Sequence, residues 1–94
     1  MKTNYIDGFL RDKNKTVRET AAEVLASTGP HGEKLLIEGL LKDSIAIIRT
    51  SCAYGMRFVG PQTIRTLLLA LNDTDPQVIK TTAETIESIG VNAF

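Results

Sequence analysis

Apolar residues in this chain return at helical spacing. Val17, Ala21, Val24, Leu25 and Thr28 fall at i, i+4, i+7, i+8 and i+11, which is one stripe of an amphipathic helix. Ile48, Cys52, Met56 and Val59 form a second stripe, and Val78, Thr82, Ile86 and Ile89 a third. Shorter apolar clusters precede them, as in Ile64, Leu67, Leu68 and Leu71. The pattern predicts three longer helices, at about 15–28, 46–59 and 76–89. Each follows a shorter one, at about 4–11, 33–42 and 61–72.

The residues between the stripes fit these boundaries. Asp75-Pro76 is a helix start: the carboxylate accepts orphan N–H groups, and proline at the first helical position has no N–H to leave unpaired. Asn14 holds the same place before the first long helix, whereas Ile45 before the second cannot cap. Gly29, Gly60 and Gly90 stand where the long helices should end on a left-handed residue. Pro30 and Pro61 follow directly and block continuation.

The helix pairs repeat. Leu10, Leu41 and Leu71 are separated by 31 and 30 residues, and the same offsets link Asp12, Asp43 and Asp73. They also link Val17, Ile48 and Val78, then Ala22, Ala53 and Ala83, then Leu25, Met56 and Ile86. One domain over residues 1–94 is expected, with repeats at about 4–29, 32–60 and 61–90. Two such helices cannot bury their apolar faces alone, so the pairs should stack. Val91 to Phe94 reads as the start of a further helix, and two readings stand for this end: the chain is a piece of a longer array, or its end docks on something.

These residues resemble the HEAT repeat family, in particular its short form of about thirty residues found in phycobilisome-lyase-like HEAT proteins. The likeness rests on the turn aspartates Asp12, Asp43 and Asp73, the pairs Val17-Arg18 and Ile48-Arg49, the alanines and the closing glycines. It implies an all-α fold, a right-handed α-α superhelix (a HEAT/armadillo-like solenoid) of three helix pairs, with the longer helices lining a concave layer. It further implies a structural ladder between repeats, in which Asp12, Asp43 and Asp73 face Arg18 and Arg49. Ile79 replaces the arginine in the third repeat, so the ladder should stop there.

Composition narrows the function. Eleven basic and eleven acidic side chains cancel, so the chain lacks the basic footprint that nucleic acid demands. The charge is unevenly spread. Residues 1–18 hold five basic against two acidic side chains, a net +3, and residues 72–94 hold one against four, a net −3. Opposite ends of opposite sign favour weak self-association. Cys52 is the sole cysteine, and no apolar run is long enough for a membrane span; a cytoplasmic protein with no membrane partner is expected.

No constellation for catalysis, cofactor or metal emerges. His31 is the only histidine and is expected in an exposed turn. Cys52 shares a column with Ala21 and Thr82, which makes it a small core filler. Asp73 and Asp75 are explained as turn and cap. The expected function is a non-enzymatic scaffold that binds another protein or peptide on its concave helix layer. Tyr54, Arg57 and Phe58 are the candidate partner-binding residues, since aromatic and arginine side chains anchor interfaces. Two other functions are weighed beside it: a lyase-like activity on a bilin chromophore, implied by the resemblance alone, and a self-associating structural element.

Overall fold

The computed structural model describes residues 8–93, and every element in that span is helix or turn. Residues 8–10 are helical (α1). They are followed by α2 over Lys15–Ser27, α3 over Pro30–Lys42, α4 over Ala46–Gly55, α5 over Ile64–Ala70 and α6 over Pro76–Ala93. Two 3₁₀ turns, Met56–Phe58 and Pro61–Thr63, connect α4 to α5. The earlier part of the first expected helix, residues 4–7, and Phe94 lie outside the described residues.

Capping is local chemistry. Asn14 Oδ1 accepts the N–H groups of Thr16 at 2.8 Å and Val17 at 3.3 Å. Asp75 Oδ1 does the same for Gln77 at 2.8 Å and Val78 at 3.3 Å. Ile45 offers no side-chain cap to α4. Each of the three loops also closes on an aspartate two residues before the cap position. Asp12, Asp43 and Asp73 accept the N–H of Asn14, Ile45 and Asp75, each at 2.9 Å.

Gly29 (φ 86°, ψ −154°) and Gly60 (φ 121°, ψ −167°) occupy a backbone region essentially closed to other residues. Each reverses the chain, and Pro30 or Pro61 then starts the next helical turn. Gly90 behaves differently. It has no positive φ, and α6 continues through it to Ala93, so the third expected stop is absent. Val91 to Ala93 therefore extend α6 and do not begin another helix. The physical difference is the missing proline: Val91 has an N–H to donate and no ring to clash with the preceding turn.

The core is built around α4, which packs on α2, α3 and α6, while α5 packs on α6 and α3. Leu36, Leu40, Ile48, Met56, Leu67 and Val78 are its largest fully buried apolar side chains. Small residues set the closest approaches. Gly55 of α4 lies over Ala22 of α2, and Gly39 of α3 lies over Cys52. Val24, placed on the buried stripe by its spacing, is 53% exposed.

The expected HEAT/armadillo-like solenoid is not what the chain forms. Its six helices among the described residues make a compact bundle, with extents of 36 × 29 × 24 Å and a radius of gyration of 11.8 Å. A globular chain of this length has a radius of about 12 Å. Helices distant in sequence pack across one another, α2 on α4, α4 on α6 and α3 on α5. The right-handed superhelix and the HEAT resemblance are thus both overturned by shape and by cross-packing. The thirty-residue columns do not share one environment: Leu10 is buried while Leu41 and Leu71 are exposed, and Ala22 and Ala53 are buried while Ala83 is exposed.

α6 carries an unusual load of buried hydroxyls, Thr81, Thr82 and Thr85. Thr81 Oγ1 accepts from Gln77 Nε2 at 3.2 Å. Thr82 Oγ1 is fully buried with no hydrogen-bond partner among the described residues. A buried hydroxyl without a partner carries its desolvation cost uncompensated. Thr82→Val keeps the shape and removes that cost, so it should raise stability by about 1 kcal/mol, read as a higher denaturation midpoint with an unchanged m-value.

Candidate functional site

Helices α2, α4 and α6 lie side by side with α4 in the middle, and their outward faces enclose a groove of about 470 Å³. Thr50 and Tyr54 from α4 line it, and Arg57 lines it from the 3₁₀ turn that follows. Lys15 and Glu19 border it from α2, and Lys80 and Glu84 from α6. Both walls therefore carry both signs of charge. Lys15 and Glu19 form an i,i+4 pair at 3.8 Å on the surface, worth little to stability.

Tyr54 is held on two sides. The Arg57 guanidinium stacks over its ring, 4.1 Å from the centroid, a cation–π arrangement. Phe58 meets it edge-on, with centroids 5.6 Å apart and planes at 60°. Arg57 is itself fixed. Its Nε donates to the Tyr54 carbonyl at 3.1 Å and its Nη2 to Thr85 Oγ1 on α6 at 2.8 Å. Tyr54 is half-buried, and that burial, with Glu19 nearby, pushes its hydroxyl above the ordinary tyrosine value; Arg57 opposes the shift. The phenol is therefore neutral at physiological pH, an amphipathic ring with a hydrogen-bonding tip.

The three residues proposed from sequence as an aromatic–arginine cluster are brought together. Phe58, 45% exposed, offers an apolar edge at the surface. Sequence reasoning missed Thr85, since a threonine on a mostly buried face reads as packing. The usable signal is a long donor, Arg57, one turn from an aromatic and next to a helix that lacks an apolar residue there.

The five residues assigned to a ladder separate into two roles. Arg49 and Asp73 form a two-pronged pair, Nε to Oδ2 at 2.9 Å and Nη2 to Oδ1 at 3.1 Å. Their side chains are only 15% and 11% exposed. The Arg49 hydrogen bond, set against burial, holds the Asp73 carboxyl below the usual carboxylate range, and the same bond raises Arg49. Arg18 turns instead to its own loop, donating Nη1 to the Asp12 carbonyl at 2.7 Å and to the Lys13 carbonyl at 3.2 Å. Arg49 repeats the local contact on the Asp43 carbonyl at 2.9 Å. Asp12 and Asp43 use their carboxylates to close their turns.

His31 lies exposed in the first turn of α3, and Cys52 is buried against Gly39. Among the described residues, no group of three or more His, Cys, Asp or Glu side chains could hold a metal ion. Among the same residues, no helix is long and apolar enough to cross a membrane. No protein-family model matches the chain, and no curated protein matches it either. What can be stated from the fold and the site is the class: an all-α helical bundle with a polar groove organised on one clamped tyrosine.

Proposed function

We propose that the chain is a protein-interaction module that takes a peptide segment of a partner protein into the groove across α2, α4 and α6. The observation that carries this is the clamped Tyr54. Its ring is fixed by Arg57 and Phe58 before any ligand arrives, so little side-chain entropy remains to be lost on binding. The groove volume lies within the range of ordinary ligand sites. Its two-signed walls favour a mixed-charge peptide over a phosphate backbone. On this reading the chain acts by binding and not by turnover, and works inside the cytoplasm. A bilin-directed activity had only the HEAT resemblance behind it and loses that support.

The test is selection of peptides from a random displayed library on the intact chain, followed by affinity measurement. The selected peptide should bind the Tyr54→Ala/Phe58→Ala double variant about 30-fold more weakly, the loss typical of an aromatic hot spot. Equal affinity for both proteins would remove the groove as the binding site.

A further inference from the structure

The outer face of α6 offers a second surface, next to the groove along the edge that carries Lys80. Ala22 and Ala53, in α2 and α4, are fully buried. Ala83 holds the same column in α6 and is exposed. Leu25 and Met56 are buried, whereas Ile86 in their column is half-covered. Ile79, Ala83, Ile86 and Gly90 fall at i, i+4, i+7 and i+11 and so form one stripe along this face.

Gly90 is the telling residue. It sits inside a helix without a positive φ, and a Cβ built there would meet nothing within 4 Å. Glycine at such a position costs about 1 kcal/mol relative to alanine. Nothing in the monomer requires the missing side chain.

We propose that α6 pairs antiparallel with α6 of a second copy of this chain about a two-fold axis. In the register that superposes the stripe on itself, Ile79 of one copy faces Gly90 of the other and Ala83 faces Ile86. Every large side chain then meets a small one, the self-complementarity that a two-fold interface requires. Charge agrees with the same register. Lys80 and Glu87 are both exposed and flank the stripe on the same edge, so Lys80 of each copy lies beside Glu87 of the other. An 18-residue helix is about 27 Å long, so the contact belongs to the small, transient class of interfaces.

Sedimentation velocity of the whole chain over a wide concentration range tests this. The apparent mass should climb from the monomer value towards twice that value. Ala83→Glu and Gly90→Gln should each weaken the association about tenfold or more. Gly90→Gln replaces glycine with a good helix former, so its melting temperature should not fall, and loss of the dimer cannot then be ascribed to unfolding. Lys80→Glu should weaken the dimer, and the Lys80→Glu/Glu87→Lys double variant should restore it. A chain that stays monomeric throughout, or a dimer unaffected by Ala83→Glu and Gly90→Gln, overturns the proposal. Ala83 and Gly90 do not line the peptide-binding groove, so Ala83→Glu and Gly90→Gln leave it intact and either idea can fail alone. Lys80 borders the groove, so its variants are read for self-association only.

Discussion

Asp73→Ala should lower the stability of the fold by about 3 kcal/mol. Three interactions disappear together. Two are the prongs of the Arg49 pair, and the third is the turn-closing bond to the Asp75 N–H at 2.9 Å. Arg49, only 15% exposed, is then left without its carboxylate in a site where water reaches it poorly, and an uncompensated charge there is costlier than the lost attraction. A small domain has about 5–15 kcal/mol in total, so the loss should appear as a large fall in the urea midpoint. A change within about 0.5 kcal/mol would show that the pair is solvated in solution.

The same residue sets a pH dependence. Asp73 is held below the ordinary carboxylate value of about 3.9, chiefly by the Arg49 hydrogen bond. A group depressed in the folded state binds protons more readily when unfolded. Its contribution is therefore complete above the unfolded value and is lost as pH falls through the folded one. Asp73→Asn should be less stable near neutral pH and show a shallower loss of stability on acidification below about pH 4.

Gly32→Ala should cost about 3 kcal/mol, by a purely steric route. Gly32 is buried in the first turns of α3, where a Cβ would fall onto the Leu25 carbonyl oxygen and Thr28 Oγ1. Backbone cannot step aside as a flexible side chain would, so α2 and α3 must separate. Thr28 also donates to the Leu25 carbonyl at 2.8 Å, and that bond is disturbed too. Alanine is the better helix former, so propensity alone predicts a gain. Measured destabilisation thus isolates the close approach, and a stabilised Gly32→Ala would refute it.

Much of the local structure was legible because it depends on neighbours in sequence. Asn14 and Asp75 cap through their own next turn, and the Gly29-Pro30 and Gly60-Pro61 pairs reverse the chain with no help from elsewhere. The aromatic cluster was legible for the same reason, since Tyr54, Arg57 and Phe58 are one turn apart. What failed depends on three dimensions. The solenoid rests on recurrent residue types, yet recurrence fixes neither burial, since Leu41 and Leu71 are exposed where Leu10 is buried, nor the shape of the whole. Gly90 was read as a stop on residue type, although without a following proline the helix simply continues. The resemblance has Asp12, Asp43 and Asp73 facing Arg18 and Arg49, and which acceptors each arginine takes is set by space: Arg18 Nη1 donates to the Asp12 and Lys13 carbonyls of its own loop. Val24 fits the stripe, yet it is 53% exposed on α2.

The most direct measurement of the claim that the groove receives a partner is an amide-resolved NMR titration with the library-selected peptide. Shifts should concentrate at Thr50, Tyr54, Arg57 and Phe58, with smaller changes at Lys15 and Lys80 on the flanking helices. Shifts confined to α3 or to the outer face of α6, with Tyr54 and Arg57 unmoved, would contradict it.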